Sequence, residues 1–131
     1  MAEIWLVRHG ETGANAAGVW QGQGDVGLSA RGREQAGLAG ERLRPVRFDL
    51  VVASDLARAR DTAMLAGFPP EEDPAWREMD IGTWDGLTRE EVVARHGDEL
   101  RALMAGQDLA VGGGETWTAF RTRVAAALAA V

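Results

Sequence analysis

The chain contains two histidines, His9 and His96, and each is the centre of an Arg-His-Gly tripeptide. The first tripeptide follows a short apolar stretch over residues 3–7 and opens a loop that is rich in glycine. A neutral imidazole in such a position is a competent nucleophile, and covalent catalysis divides a difficult group transfer into two easier steps. Read in isolation, His9 is equally compatible with a buried histidine whose ring nitrogens are satisfied by neighbouring groups.

The second tripeptide has a different context. It follows the helical stretch Glu90 to Ala94, and Gly97 stands where a helix would end. A histidine in the last turn of a helix interacts favourably with the helix dipole and with the open carbonyl groups. We therefore expect His96 to be structural or exposed.

The residues around His9 are placed by a pattern of strands, loops and helices. In the first half of the chain, the sequence predicts a buried strand over residues 3–7 and a loop over 10–28. A helix capped by Ser29 follows and ends near Leu43. A second buried strand is predicted over 49–53, followed by a helix that is capped by Ser54 and ends near Ala66. This order is typical of an α/β fold with a parallel sheet, in which sites form at the carboxyl ends of strands. His9 and Ser54-Asp55 are expected to share one crevice.

The second half of the chain is predicted to be mainly helical. Residues 77–86 are irregular, Thr88 opens a helix with a capping box, a further helical stretch covers about 98–105, and Thr116 caps the last helix. We expect Trp5, Leu6, Val7 and Trp117 in the core, and Trp20, Met79 and Trp84 either in the core or around a pocket.

The composition is that of one ordinary globular domain, with 46% hydrophobic and 26% charged residues in 131. A net charge of −6 argues against a nucleic-acid or anionic-membrane surface, and the absence of cysteine excludes disulfides and thiolate catalysis. No stretch approaches the roughly 20 apolar residues that span a bilayer. A cytoplasmic location is the default expectation, because the first apolar stretch is too short for a signal peptide.

Several motifs together resemble the histidine phosphatase superfamily, which includes phosphoglycerate mutases and many small phosphatases. The signature is Arg8-His9-Gly10-Glu11-Thr12 with Asn15. The resemblance continues, in family order, through Gln21-Gly22, Asp25, Leu28-Ser29, Gly32, Gln35-Ala36, Ser54-Asp55-Leu56, Arg58-Ala59, Thr62-Ala63, Arg77 to Gly82 with Trp84 and Gly86, and Gly113-Gly114-Glu115 with Phe120. It implies a phosphoglycerate mutase-like three-layer α/β/α fold with a mostly parallel sheet.

The resemblance also implies catalytic roles for four residues. His9 would attack the phosphoryl group and carry it as a phosphohistidine, while Arg8 and Arg58 would hold the phosphoryl oxygens. Glu78 would protonate the departing alkoxide and later activate water, aided by a pKa that the bound phosphate raises. Taken singly, Arg58 and Glu78 would be ordinary surface charges, and only the joint occurrence of the motifs favours function.

Phosphate binding would be shared with neutral groups. Asn15 and the segment Gln21-Gly22 would add donors to those of Arg8 and Arg58, and glycine lets the main chain approach closely. The predicted ligand is a small phosphorylated metabolite, and no metal or other cofactor is required, because the arginines supply the positive charge.

The family's second histidine, carried on a later strand and followed by glycine, has no match after Thr116. In relatives that strand lies between the two predicted here, so its loss would leave unpaired backbone groups and exposed core. We therefore expect residues 1–131 to be the N-terminal portion of a single domain that is incomplete at its C-terminus. If the protein ends at Val131, we expect weak folding or swapping with another chain, together with little catalysis. A homodimer stays open.

The leading functional hypothesis is a metal-independent phosphomonoesterase. A phosphoglycerate mutase is the main alternative, but the short segment between Glu78 and Gly113 and the motif from Arg77 to Gly82 look closer to the small phosphatases, including those that act on α-ribazole phosphate. A third hypothesis, from another class, is an inactive phosphate-binding or regulatory protein.

Overall fold

The computed structural model describes residues 3–131. Within this range it has five α-helices and two strands, which are α1 (Gly13–Ala17), α2 (Ala30–Leu43), β1 (Val52–Ala53), α3 (Ala57–Leu65), β2 (Glu71–Glu72), α4 (Arg89–Met104) and α5 (Trp117–Ala129). Single 3-10 turns cover Pro74–Trp76, Gly82–Trp84 and Val111–Gly113. None of the helices in the described range is long and apolar enough to cross a membrane.

Three of the predicted helix starts are confirmed. The side chains of Ser29, Thr88 and Thr116 each accept a hydrogen bond from the backbone N–H three residues further on. At Thr88 the capping box is complete, because the Glu91 carboxylate accepts from the Thr88 backbone N–H. These bonds satisfy donors that a helix cannot satisfy internally, so the local sequence alone defines where α2, α4 and α5 begin.

The start of α3 differs from the prediction. Ser54 accepts a hydrogen bond from the Leu56 backbone N–H, but the helix begins only at Ala57. The first helical N–H, that of Ala57, donates to the Asp25 carboxylate at 2.7 Å. A residue 32 positions earlier therefore caps α3, and this bond ties the loop before α2 to the helix that carries Arg58.

The predicted buried strand over residues 3–7 is wrong. The described chain has no strand there, and Ile4, Trp5, Leu6 and Val7 are 58%, 48%, 83% and 55% exposed. A strand needs a neighbour for its N–H and C=O groups, and within residues 3–131 none lies beside this segment. The placement of Trp5, Leu6 and Val7 in the core is wrong for the same reason.

The second predicted strand is present but short. Instead of residues 49–53 only Val52 and Ala53 form β1, which pairs in parallel with β2 in the register Val52 to Glu71 and Ala53 to Glu72. Both residues of β1 are half-buried, and Leu50 just before them is exposed. The parallel sheet predicted for this fold is thus represented by two short strands in the described range.

The core lies under the segment 79–84 and against α4. Its buried members are Met79, Ile81, Trp84, Val92 and Val111. Leu87, Leu100, Leu103 and Phe120 pack on this cluster. Trp117 is 55% exposed, so its predicted core position is wrong, whereas Met79 and Trp84 are buried members of the core. The segment that begins at Met79 is thereby anchored immediately after Glu78.

Helix α4 runs through the second Arg-His-Gly tripeptide instead of ending there. His96 has non-helical backbone angles, φ −131° and ψ 27°, which produce a kink between the two predicted helical stretches. Its ring lies 6.0 Å from the Trp84 ring, and its Nε2 is 3.5 Å from Thr83 Oγ1. These contacts give His96 the structural role that was predicted for it.

Candidate active site

The backbone around His9 is held by two helices. The Gly10 N–H donates to Thr62 Oγ1 of α3 at 3.0 Å, and the Glu11 N–H donates to Gln35 Oε1 of α2 at 2.8 Å. Thr62 is buried and its hydroxyl in turn donates to the Arg58 carbonyl oxygen. Side chains on α2 and α3 therefore position His9 although no strand ladder does.

Close packing of two glycines fixes the same turn. A Cβ on Gly10 would overlap the carbonyl oxygen of Gly32, and a Cβ on Gly32 would overlap that of Glu11. Any larger residue at either position would push α2 away from the segment that bears His9. Glycine is therefore required at both positions.

The His9 imidazole is oriented by its own neighbour. Nδ1 lies 2.7 Å from the Gly10 carbonyl oxygen, and since a carbonyl only accepts, Nδ1 must carry the proton. Nε2 then holds a free lone pair. Burial lowers the pKa of His9 below its ordinary value of 6.5, and the Arg58 and Arg8 charges lower it further, against the opposing effects of the Gly10 carbonyl and of Glu78. The ring is therefore neutral near neutral pH, as a nucleophile requires.

A cavity of about 230 Å³ opens beside this imidazole. It is lined by Arg8, His9, Gly10, Gln35, Ala36, Ala39 and Thr62. Arg58 and Glu78 do not line it, but both charges act on the pKa of His9, so both lie within electrostatic reach of the ring. Arg8 and Glu78 are exposed and Arg58 is only 3% exposed, and the joint action of these three residues with His9 stays a prediction.

Arg58 directs its guanidinium at the glycine-rich loop. Nη1 donates to the Gly24 carbonyl oxygen at 2.8 Å and Nη2 to that of Gly22 at 2.5 Å. The Gln21 amide fits best with its oxygen 2.6 Å from Arg58 Nε and its nitrogen against Thr12 Oγ1. Burial lowers the pKa of Arg58. With the second Nη1 hydrogen bond, to the same Gln21 oxygen at 3.2 Å, four of the five N–H groups of this guanidinium are taken up by residues 21–24.

Asp85 holds the same loop from the other side, and the sequence did not single it out. Its carboxylate accepts from the Gly22 N–H at 3.2 Å and from the Gly24 N–H at 2.6 Å. The peptide groups of residues 22–24 are thus fixed between a carboxylate and the Arg58 guanidinium. Gly22 must be glycine, since a Cβ would come within 2.6 Å of Ile81 Cγ1. The only sequence signal was the neighbouring Trp84 and Gly86 of the motif.

The predicted neutral donors already have partners inside the protein. Asn15 Oδ1 accepts from the Thr12 N–H and hydroxyl, both at 3.0 Å, and so completes the capping box of α1, whose N-cap is Thr12, inside the loop predicted over residues 10–28. The Asn15 amide nitrogen has no hydrogen-bond partner among residues 3–131. The Gly22 N–H and C=O are both engaged, and the Gln21 side chain lies between Thr12 and Arg58.

Glu78 projects from a segment whose backbone is fixed. The Glu78 carbonyl oxygen accepts from Gln23 Nε2 at 3.1 Å and from Arg123 Nη2 at 3.2 Å. Its exposed carboxylate accepts from the next backbone N–H, that of Met79, at 2.8 Å. The carboxyl group therefore stands free of ion pairs in the described structure.

An ion pair joins this segment to the end of β1. Arg77 binds Asp55 through Nε to Oδ1 at 2.7 Å and Nη2 to Oδ2 at 2.5 Å. The hydrogen bonds from Arg77 lower the pKa of the Asp55 carboxyl. The bidentate geometry fixes the segment before Glu78 relative to the start of α3.

Among residues 3–131, no group of three or more His, Asp or Glu side chains is arranged to hold a metal ion.

Comparisons with known proteins agree on one family. The pattern of the histidine phosphatase superfamily, branch 1, matches residues 4–131. The "Probable phosphoglycerate mutase GpmB" of Salmonella choleraesuis is 40% identical over 139 residues, which cover 98% of this chain and 62% of the relative. The chain thus spans a little under two thirds of the length of the curated relatives it matches.

Two solved structures are similar to this one. The α-ribazole phosphatase of Shigella flexneri superposes with a TM-score of 0.86 at 35% identity, covering 95% of this chain and 64% of that one. The mycobacterial glucosyl-3-phosphoglycerate phosphatase in complex with VO3 gives a TM-score of 0.78 at 36% identity, covering 92% and 62%. The α/β fold class predicted from the sequence is confirmed by these likenesses.

Proposed function

The chain belongs to the histidine phosphatase superfamily, and we propose that it hydrolyses phosphomonoesters of small metabolites through a phosphohistidine on His9. The observation that carries the proposal is the state of the His9 ring. Its Nδ1 proton is fixed on the Gly10 carbonyl, its Nε2 lone pair is free, and burial and two arginines lower its pKa. These are the requirements for a neutral nitrogen nucleophile beside an anion site.

In the first step His9 Nε2 attacks phosphorus in line with the ester oxygen. The phosphorus–nitrogen bond forms as the phosphorus–oxygen bond breaks, and Glu78 gives its proton to the departing alkoxide. In the second step a water molecule attacks the phosphohistidine while the Glu78 carboxylate takes a proton from it. Inorganic phosphate leaves, and both His9 and Glu78 return to their starting states.

The two arginines have unequal parts in this proposal. Arg8 is exposed beside His9 and presents its planar fork to two phosphoryl oxygens. Arg58 has four N–H groups committed to residues 21–24, so it adds its charge and has one N–H group left for a phosphoryl oxygen. The Asn15 amide nitrogen adds a neutral donor, whereas Gln21 and Gly22 act mainly by holding Arg58 in place.

A phosphoglycerate mutase is the second candidate, because the 40% identical Salmonella relative is described as one. The same phosphohistidine would then return its phosphoryl group to a sugar acid rather than to water. Solved relatives described as phosphatases, for α-ribazole phosphate and for glucosyl-3-phosphoglycerate, favour hydrolysis. Incubation with 3-phosphoglycerate separates the two, since a mutase converts it to the 2-isomer and a phosphatase releases inorganic phosphate.

Turnover of p-nitrophenyl phosphate tests the proposal. We expect His9→Ala to lower kcat by roughly 10³-fold or more, as loss of a catalytic nucleophile does. His96→Ala is a matched control, because it removes the histidine of the second Arg-His-Gly tripeptide, and it should keep most of the activity. A rate that is unchanged in His9→Ala would contradict the proposal.

Vanadate binding separates an enzyme from an inactive phosphate-binding protein. Vanadate resembles a phosphoryl group in transfer, and one solved relative holds VO3. If the wild-type chain binds vanadate through His9 and Arg8 but turns over no phosphomonoester, the binding protein is the better description.

A further inference from the structure

Arg123 of α5 places its guanidinium under the segment that bears Glu78. Nη1 donates to the carbonyl oxygens of Ala75 and Arg77, both at 2.9 Å. Nη2 donates to the Glu78 carbonyl oxygen at 3.2 Å and to the Glu115 carboxylate at 2.8 Å, and Nε completes the fork to Glu115 at 2.8 Å. All five N–H groups of one guanidinium therefore have partners, three of them on the main chain around Glu78.

Glu115 extends the same contact to the other side of Glu78. Its Oε2 also accepts from the Asp80 N–H at 2.9 Å, and its own backbone N–H donates to the Asp80 carbonyl oxygen at 2.7 Å. A Cβ on Gly114 would overlap that carbonyl oxygen, so glycine is required there. The Arg123–Glu115 pair thus fixes main-chain groups from residue 75 to residue 80.

The pair holds the backbone and leaves the carboxyl group of Glu78 free. The Arg123 charge is matched by Glu115, whose hydrogen-bonded fork raises the pKa of Arg123 while Arg123 lowers that of Glu115. Both side chains are mostly buried, with 24% and 21% exposed. Since Arg123 is already neutralised, it does not need Glu78 as an ion-pair partner, and Glu78 stays available to carry a proton.

We propose that Arg123 is a positioning residue for the general-acid step, an inference that rests on the proposed function. Through its three carbonyl contacts it aims Glu78 at the leaving group, and Glu115 keeps Arg123 in register. A displacement of about 1 Å in a catalytic group is enough to cost about 10²-fold in rate. Loss of Arg123 should therefore harm both steps that Glu78 serves, and only the first of them, protonation of the leaving oxygen, depends on the leaving group.

Two substrates with different leaving groups test the inference. p-Nitrophenolate departs without much help from an acid, whereas the phenolate of phenyl phosphate needs protonation more. We expect Arg123→Ala to lower kcat/KM about tenfold more for phenyl phosphate than for p-nitrophenyl phosphate, because kcat/KM reports the first step and the effect of Arg123 on that step passes through Glu78. Glu78→Gln should give the same pattern, and Glu115→Gln a weaker form of it.

Arg121→Ala is the matched control, since Arg121 lies on the same helix and is exposed. It should alter kcat/KM for neither substrate. Equal losses of kcat/KM for both substrates in Arg123→Ala, or no loss at all, would overturn the inference. If His9→Ala leaves turnover unchanged, the proposed function itself fails. A pattern seen in Glu78→Gln but absent in Arg123→Ala and Glu115→Gln removes the positioning role and leaves the proposed function intact.

Hydrogen exchange tests the contact without relying on turnover. The amides of residues 77–80 should exchange about tenfold faster in Arg123→Ala than in the wild type, and at the wild-type rate in Arg121→Ala. Unchanged protection of these amides in a folded Arg123→Ala chain would show that Arg123 does not hold the segment. Glu115→Gln supplies the same readout if Arg123→Ala fails to fold.

Discussion

Two regions of the molecule differ in how far their backbone polar groups are hydrogen-bonded and their apolar side chains are buried. We define the loop cluster as residues 20–25, 75–85 and 111–115. Its peptide groups form hydrogen bonds with the side chains of Arg58, Asp85, Glu115 and Arg123, and the cluster packs on the buried core. The strand edge, defined as residues 3–8 and 49–53, exposes Ile4 to Val7 and Leu50 and has only the two residue pairs of β1 with β2.

The difference shows what each kind of structure requires. A hydrogen bond between a side chain and a loop peptide group needs only one correctly placed partner, and residues within the described range supply that partner. A buried strand needs neighbours along its whole length, and residues 3–7 have none in the described range. His9 lies at the border between the regions and is held by Thr62, Gln35 and the glycine contact with α2.

Exchanging tryptophan for alanine in each region should give the largest contrast. Trp84 is 3% exposed in the core below the loop cluster, so Trp84→Ala should lower the free energy of unfolding by about 3–5 kcal/mol. Trp5 is 48% exposed on the strand edge, and Trp5→Ala should cost about 1 kcal/mol or less. Urea unfolding followed by circular dichroism measures both, and equal losses would abolish the contrast.

Removing one carboxylate should loosen the loop cluster by a smaller amount. Asp85→Ala leaves the N–H groups of Gly22 and Gly24 without their acceptor, which costs about 1–3 kcal/mol of unfolding free energy. Asp98→Ala is the control, because Asp98 is an exposed member of a surface pair with Arg101 and should change stability by less than about 0.5 kcal/mol. If Asp85→Ala is as harmless as the control, Asp85 does not hold the loop in solution.

The sequence predicted those parts of the fold that short-range patterns specify. Ser29, Thr88 and Thr116 cap their helices as their local context indicates, and the motif placed His9 at the start of the functional loop. The roles of Asp85 and Arg123 escaped prediction because the main-chain groups that they bind lie more than 40 residues away. Burial of residues 3–7 was wrongly inferred, since an apolar pattern reports the preference of a segment and not the presence of a neighbouring strand.

A pH titration tests the lowered pKa of His9, which lies at the border between the two regions. Because its pKa is lowered below 6.5, the ring takes up its proton only as the pH falls under that value, and kcat/KM should fall with it. Arg8→Gln removes one cation that disfavours the charged ring, so the pKa of His9 should rise. NMR titration of the His9 ring measures this shift. A fall or no change in Arg8→Gln would contradict the electrostatic role of Arg8.

The smallest effect is expected on the strand edge. Leu6 is 83% exposed, so Leu6→Ser should change the free energy of unfolding by less than about 0.5 kcal/mol. Leu56, which is 5% exposed, is the buried counterpart, and Leu56→Ser should be severely destabilising. A large loss in Leu6→Ser would mean that the residue is covered in solution.

Trapping the covalent intermediate tests the central claim most directly. The chain is mixed with a phosphomonoester, quenched at alkaline pH where phosphohistidine survives, and digested for mass spectrometry. The account predicts one added phosphoryl group on the peptide that contains His9, none on the peptide that contains His96, and none in His9→Ala. Turnover of the substrate with no phosphoryl group on His9, or with one on another residue, would contradict it.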